Sequence, residues 1–255
     1  MGYRSYFMKK RIIFLTAAII FLCGAVSADP VHLLVYAGAG LKKPMEEIKT
    51  SYETNHDAVI EYVYAGSAQL LAQIQLSGKG DVFIVGSEDV YKDAQMKNLA
   101  ETPELVAHHT PCIAVRKGNP KHIMSLEDMA KPGITVILGD PKANAIGLSA
   151  RKIIEKNKLS GITANTVAET ATVNELVLQL AMGQADAAIV TKDSISQSPK
   201  VDCIEIAPDK NIDQIIPVGI LTCSNHKAEA QAFADFIASP EGKDMFRKNG
   251  FEPVN

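Results

Sequence analysis

The sequence predicts an α/β protein made of two similar lobes, and three observations support this. Short strand-like runs alternate with helical segments almost throughout the chain, which is typical of the α/β class. The strand-like runs are continuously apolar, as expected for parallel strands covered on both faces. A second series of the same kind begins near residue 111, and the last 40 residues resemble a return to the first series.

The first series extends from residue 31 to residue 97. Its strands are rich in Val and Ile, and its helical segments carry apolar residues at helical spacing. The predicted elements are the strands Val31–Ala37, Val59–Tyr64 and Asp81–Val85 and the helices Leu41–Tyr52, Ala68–Leu76 and Glu88–Lys97.

The second series and the closing segment are predicted from the same patterns. Gly183 ends a helix, and Ser239-Pro240-Glu241 opens the last one with an N-cap, a first-turn proline and an early acid. The predicted strands are Ile134–Leu138, Ala187–Val190, Val201–Ile206 and Ile215–Leu221, and the predicted helices are Leu148–Asn157, Val173–Met182, Ala228–Ala238 and a final one that ends at Gly250.

This order places residues 29–110 and 212–255 in lobe 1 and residues 111–211 in lobe 2. Two extended crossings would join the lobes and leave a cleft between them. Ligands favour domain interfaces and the carboxyl ends of parallel strands. The arrangement also permits hinge closure around a ligand.

The N-terminus predicts export from the cytoplasm. Four basic residues precede an apolar run from Ile12 to Leu22, and Val26-Ser27-Ala28 offers small residues before a cut. This is the order of a secretory signal peptide, and cleavage is expected after Ala28. An uncleaved N-terminal anchor is the alternative, although the apolar run is short for a membrane span.

The charge of the remaining chain argues against nucleic acid as a partner. Loss of residues 1–28 removes four basic residues and no acidic one, which leaves 22 basic and 29 acidic side chains and a net charge of −7. Nucleic acid and anionic lipid attract basic surfaces. We therefore expect neither as a general partner.

Three cysteines remain after that cleavage, and their state is left open by the sequence. Cys203 and Cys223 both lie in strand-like runs and would be able to pair; alternatively Cys112, Cys203 and Cys223 are all small buried hydrophobes.

Two loops of small residues are the strongest candidates for ligand contact. Ala37-Gly38-Ala39-Gly40 and Ala65-Gly66-Ser67-Ala68 each follow a strand and open a helix. A helix start offers free N–H groups and partial positive charge, and small residues let an anion approach them. In the second lobe, Gly139-Asp140-Pro141, the stretch 144–147, the stretch 170–174 and Thr191 hold equivalent positions; for these, plain turn and capping chemistry is the alternative.

Catalytic signatures are weak. The sequence has no nucleophile elbow, no phosphate loop of the Gly-Lys-Ser type and no zinc spacing. His108 and His109 lie near Cys112, but neighbours in an extended strand point to opposite faces. We therefore expect a binding protein and not an enzyme, with a secreted Cys/His enzyme as the rival from another class.

The chain from residue 29 onward resembles the molybdate/tungstate-binding proteins of ABC importers, which are type II periplasmic binding proteins. The stretches that carry the resemblance are residues 35–41, 65–67, 70–74, 80–84, 139–141, 188–190, 239–242 and 250–253. The resemblance implies a two-lobed clamp for a tetrahedral oxyanion. It implies no cofactor and no bare metal ion, an ABC permease as partner and a monomeric protein in the periplasm or another extracytoplasmic space.

Carried over by position, the resemblance assigns five ligand-binding residues: Gly40, Ser67, Ile146, Val173 and Thr191. Ile146 and Val173 would contribute backbone donors. Gly40 stands where better-known members have serine, and Thr191 where they have tyrosine. Asn144 and Asn174 are candidates to replace the lost donors. The alternatives are that the same clamp takes sulfate, phosphate or an organic carboxylate, or that it docks on a membrane receptor as a sensor.

Overall fold

The computed structural model describes residues 29–196 and 198–255, so the expected signal peptide lies outside the described residues. The predicted α/β class is confirmed: two separate β-sheets are packed with helices. One sheet has six strands, in the order β11-β4-β10-β3-β1-β2, and the other has five, in the order β7-β6-β8-β5-β9. The ranges of these elements follow.

The elements of the six-stranded sheet come from both ends of the chain. Its strands are β1 (Val31–Gly38), β2 (Ala58–Ala65), β3 (Val82–Ile84), β4 (Glu104–His108), β10 (Ile215–Ile220) and β11 (Glu252–Pro253). Its helices are α1 (Lys42–Asn55), preceded by a 3₁₀ turn at Ala39–Leu41, and α2 (Ser67–Ser77), α3 (Glu88–Met96), α9 (Lys227–Ala238) and α10 (Pro240–Lys248).

The five-stranded sheet is built from the middle of the chain. Its strands are β5 (Pro111–Arg116), β6 (Val136–Gly139), β7 (Thr166–Thr170), β8 (Ala187–Thr191) and β9 (Val201–Glu205). Its helices are α4 (Leu126–Met129), α5 (Ala145–Lys156), α6 (Ser160–Ala164), α7 (Val173–Ala181) and α8 (Lys192–Ile195).

Both sheets are mixed, so the expectation of wholly parallel sheets is wrong. β1 pairs in parallel with β2 and β3, and β6 pairs in parallel with β7 and β8. β10 is antiparallel to β3 and β4, and β5 is antiparallel to β8 and β9. The cause is the pair of crossings. The chain leaves the six-stranded sheet at the end of β4 and returns to the same end of that sheet at the start of β10, where His108 pairs with Ile215. β4 runs towards this end and β10 runs away from it, so the two strands are antiparallel.

Each sheet has its own apolar core. One core packs α5, α7 and their neighbours against the five-stranded sheet, and it includes Ile113, Ile137, Ile153, Leu176 and Ile189. Two clusters cover the opposite faces of the six-stranded sheet. The parallel strands β1, β3, β6 and β8 are largely buried, so their carboxyl ends are the places where polar loops can gather.

The described cysteines are free thiols. Cys203 lies in β9 of one sheet, whereas Cys223 follows β10 of the other. Cys203 is exposed, which contradicts the alternative that all three are buried. Over residues 29–196 and 198–255, no helix combines the length and apolarity needed to cross a membrane.

Candidate anion site between the two sheets

A cavity lies where loops of the two sheets meet, at the carboxyl ends of their parallel strands. It encloses about 370 Å³ of space between the protein atoms, a figure that includes open solvent at its mouth. The residues that line it are Gly38, Ala39, Gly40, Leu41, Ala65, Gly66, Ser67, Gly86, His109, Asn144, Ala145, Ile146, Thr172 and Val173. His109 is the single titratable residue in this lining, which has no Lys, Arg, Asp or Glu.

Four helix starts contribute to this lining. The 3₁₀ turn at Ala39 and helix α2 at Ser67 come from the six-stranded sheet, and α5 at Ala145 and α7 at Val173 come from the five-stranded sheet. The first N–H groups of a helix have no partner within the helix, and the helix dipole places partial positive charge there. Four such starts around one cavity make it suitable for an anion.

The capping side chains leave the first N–H groups of α5 and α7 available. Asn144 Oδ1 accepts from the Gly147 N–H at 2.8 Å, and Thr172 Oγ1 accepts from the Glu175 N–H at 3.3 Å. Each cap therefore satisfies the third residue of its helix and not the first two. Ile146 and Val173, the predicted backbone donors, lie within those first two positions.

Contacts across the cavity hold the two sheets' loops together. The Ala68 N–H donates to Ala143 O at 3.3 Å, and Asn174 Nδ2 donates to Ala39 O at 3.1 Å. Lys152 Nζ pairs with Asp89 Oδ2 at 2.6 Å. The close approach depends on small residues: a Cβ on Gly66 would lie 2.3 Å from Ala143 O.

The structure brings four of the five predicted site residues together. Gly40, Ser67, Ile146 and Val173 all line the cavity. A Cβ on Gly40 would lie 2.9 Å from Val173 Cγ1, so a larger residue at position 40 would press on the start of α7, which packs on the five-stranded sheet. Ser67 is buried and opens α2.

Thr191 is not part of this lining. It is buried at the end of β8, where its Oγ1 donates to Asp193 Oδ2 at 3.1 Å and lies 2.9 Å from Ser194 Oγ. Its hydroxyl is therefore engaged at the start of α8 and too short to reach the cavity.

The two asparagines expected to compensate are also engaged elsewhere. Asn144 lines the cavity, but its Nδ2 donates to Thr170 O at 2.8 Å while its Oδ1 caps α5. Asn174 Nδ2 donates to Ala39 O. Both amides fix the loops around the cavity.

His109 is the lining residue whose role the sequence did not reveal. The structure buries it with 6% of its surface exposed, places it on the cavity wall and brings its Nε2 to 3.5 Å from Asp193 Oδ1. The available signal was a short polar stretch, His108-His109-Thr110, between two apolar runs.

Cys112 does not form a catalytic pair with a histidine at the cavity. It is fully buried in β5 and is absent from the lining. A hydrogen bond with Cys203, together with burial, raises the pKa of the Cys112 thiol, whereas a nucleophilic cysteine needs a lowered one.

A pair of sheets joined by two crossings, with an anion-suited cavity between them, defines a two-lobed solute-binding protein. Residues 33–252 match the family model of the bacterial extracellular solute-binding proteins, and the chain belongs to this family. It is 34% identical to a Haemophilus influenzae protein whose name specifies only that it binds, over 96% of this chain and 99% of that protein. It is 27% identical to the molybdate-binding protein ModA of Mycobacterium tuberculosis, over 86% of this chain and 84% of that one.

The solved structures show the same architecture. The sulfate-binding protein SubI of Mycobacterium tuberculosis superposes with a TM-score of 0.75 at 16% identity, covering 88% of each chain. At this identity the likeness concerns the fold, which is that of the type II periplasmic binding proteins.

Proposed function

We propose that this chain is an extracytoplasmic solute-binding protein that captures molybdate or tungstate for an ABC importer and performs no chemistry itself. The convergence of four helix starts from both sheets on one small cavity carries the proposal. Such a site binds an oxyanion with oriented N–H groups that replace its hydration shell. The mycobacterial molybdate-binding relative supports the choice of ligand.

The family resemblance assigns five residues to the ligand, and four of them line this cavity; Thr191 does not. Ser67 would supply a hydroxyl, and Gly40, Ile146 and Val173 would supply backbone N–H groups. The hydroxyls missing at Gly40 and Thr191 each cost about 1.5–3 kcal/mol if nothing replaces them. Retained affinity for molybdate therefore requires another donor.

Ligand exchange in this proposal occurs by hinge motion. Residues 29–110 with 212–255 would move as one lobe and residues 111–211 as the other. The crossings are held side by side, because the His109 N–H donates to Gln214 O at 2.7 Å and Asn211 Nδ2 donates to Pro111 O at 2.8 Å. We further propose that the protein is a monomer and that its partner is an ABC permease, reached after cleavage near Ala28.

A second candidate keeps the clamp and changes the anion to sulfate, phosphate or a small carboxylate. The observation that favours it is the loss of two of the expected hydroxyl donors, at Gly40 and Thr191. A cavity with fewer hydroxyls and one histidine differs from the site that the resemblance implies.

Isothermal titration calorimetry on residues 29–255 with molybdate, tungstate, sulfate and phosphate tests the proposal. We expect one-to-one binding of molybdate and tungstate and no heat from sulfate. Preferential binding of sulfate or phosphate would select the second candidate. Silence with all four anions would contradict an inorganic oxyanion as ligand.

A further inference from the structure

His109 occupies a fixed place between the cavity and the crossing. Its ring packs against Gly86, where a Cβ would lie 2.6 Å from Nδ1, and its centroid is 5.8 Å from that of Phe251. Nδ1 lies 2.9 Å from Gly86 O. A carbonyl oxygen only accepts hydrogen bonds, so Nδ1 carries a proton. A proton on Nε2 as well then makes the ring an imidazolium.

The groups around Nε2 favour that second proton. Asp193 Oδ1 lies 3.5 Å away, close enough for an ion pair, although no hydrogen bond of good geometry reaches Nε2 from the described residues. Asp193 is 2% exposed, and its other oxygen accepts from the Thr191 hydroxyl. A buried carboxylate requires a charged or strongly donating partner, and His109 is the cationic candidate next to it.

The charges that face His109 are both negative. Asp193 lies on α8, and Asp213 lies on the returning crossing, where it also bonds to His108 and Thr110. Lys192, the chain neighbour of Asp193, is paired with Glu205. Burial opposes a charge on His109, but the two carboxylates and the Gly86 carbonyl outweigh it, and the pKa of His109 is raised.

We propose that His109 is a ligand-site residue that places a positive charge on the cavity wall and so strengthens the binding of a doubly charged anion. The orientation of the pair supports this, since His109 lines the cavity while Asp193 does not. The positive end of the pair is therefore nearer to the ligand. The inference rests on the proposed function, because it takes the ligand to be an anion in this cavity.

This charge makes ligand binding depend on pH. A bound dianion stabilises the imidazolium, so binding raises the pKa of His109 further and is strongest while the ring is protonated. Affinity then falls as the pH rises through the pKa of His109 in the ligand-free protein. If binding raises the pKa of His109 by one unit, the affinity for the ligand falls by about tenfold as the pH rises through the titration of His109.

The test is calorimetry on residues 29–255 with tungstate and with sulfate, both dianions, from pH 6 to pH 9. We expect the affinity of the anion that binds to fall by about tenfold or more over this range. His109→Asn should keep a donor for Gly86 O, bind more weakly at pH 6 and lose the pH dependence. His108→Asn is the matched control: it alters the neighbouring histidine, which is outside the cavity lining, and should leave the pH profile unchanged.

A ligand-free measurement separates the charge from folding effects in the variant. The ¹⁵N chemical shifts of the His109 ring in the wild-type chain at pH 6 should be those of an imidazolium. A neutral ring would overturn the inference, as would pH-independent binding or equal affinity of wild type and His109→Asn at pH 6. Each of these leaves the proposed function standing, whereas failure to bind either anion overturns the inference and, if molybdate also fails, the proposed ligand class.

Discussion

At the residue scale, Ser67 carries the one side-chain hydroxyl among the four predicted residues that line the cavity. In the proposed function Ser67 would contact the ligand through this hydroxyl, whereas Gly40, Ile146 and Val173 would contribute backbone donors. The remaining affinity would come from backbone N–H groups, which every substitution except proline leaves in place.

Ser67→Ala should weaken oxyanion binding about 10- to 150-fold, the cost of one hydrogen bond to a charged ligand. Calorimetry measures this directly. Ser149→Ala is a suitable control, because Ser149 is buried in α5 but donates to Ala145 O of its own helix and does not line the cavity. Equal loss in both variants would mean that Ser67 acts only through stability.

Asp186 shows how a buried carboxylate holds the five-stranded sheet together. Its Oδ1 accepts from Arg116 Nη2 at 2.8 Å, and its Oδ2 accepts from the N–H and the hydroxyl of Thr135 at 3.0 and 2.9 Å. Burial alone would raise its pKa, but these donors and the nearby Lys121 outweigh burial, so the pKa of Asp186 is lowered.

Asp186→Asn should reduce the free energy of unfolding at pH 7 by about 1.5–3 kcal/mol. A lowered folded pKa stabilises the protein above the unfolded value of about 3.9, and this stabilisation is lost as the pH falls through the folded pKa. Urea unfolding should therefore show a difference in the free energy of unfolding between wild type and Asp186→Asn that is smaller near pH 3 than at pH 7. Asp202→Asn, which removes a surface pair with Lys117, should cost less than Asp186→Asn because water screens exposed pairs. A difference for Asp186→Asn that grows in acid would contradict the account.

At the scale of elements, the loops between strands and helices determine how closely the two sheets approach. Gly66 caps α2 with φ at −64°, a conformation open to any residue, so its importance is not backbone strain. The space is the constraint, since an added Cβ would lie 2.3 Å from Ala143 O and 2.8 Å from Ala171 O on the other sheet.

Gly66→Ala should fold normally but prevent the sheets from approaching fully. Overpacking of this kind costs about 1–3 kcal/mol, which corresponds to a loss of about 5- to 150-fold in affinity. Small-angle scattering with saturating ligand should show a larger radius of gyration than for wild type. Gly38→Ala, whose Cβ would meet only ordinary contacts at 3.7 Å and beyond, should close to the wild-type radius of gyration with saturating ligand. Normal closure of the Gly66 variant would disprove the steric argument.

The sequence predicted best those elements whose patterns are local. The parallel strands β1, β2, β3, β6 and β8, the loops at Gly38 and Gly66 and the start of the last helix at Ser239 were visible in runs of apolar, small and capping residues. The start of α5 at Ala145 was predicted three residues late, because Gly147 in its first turn interrupts the helical pattern.

The missed features depend on tertiary pairing. β7 alternates polar and apolar residues at the edge of its sheet, so it carries no continuous apolar run. β4 and β5 flank a crossing. β4 is antiparallel to β10, where the chain returns at residue 215, and β5 is antiparallel to β8 in the other sheet. His109 became a site candidate only when Gly86 and Asp193, 23 and 84 positions away in sequence, were seen against its ring.

At the scale of the whole molecule, two sheets with separate cores meet at a cavity whose donors are mostly backbone N–H groups. Each sheet supplies two helix starts, so neither lobe alone can surround a ligand. This explains why fold and family can be shared at low sequence identity while the ligand differs.

The most direct test is to locate the ligand in a crystal of residues 29–255 grown with tungstate, using anomalous diffraction from tungsten. The account predicts one strong peak in the cavity, with oxygens within hydrogen-bond distance of Ser67 Oγ and of the N–H groups of Ile146 and Val173. A peak held by surface lysines, or no peak in the cavity at saturating tungstate, would contradict it.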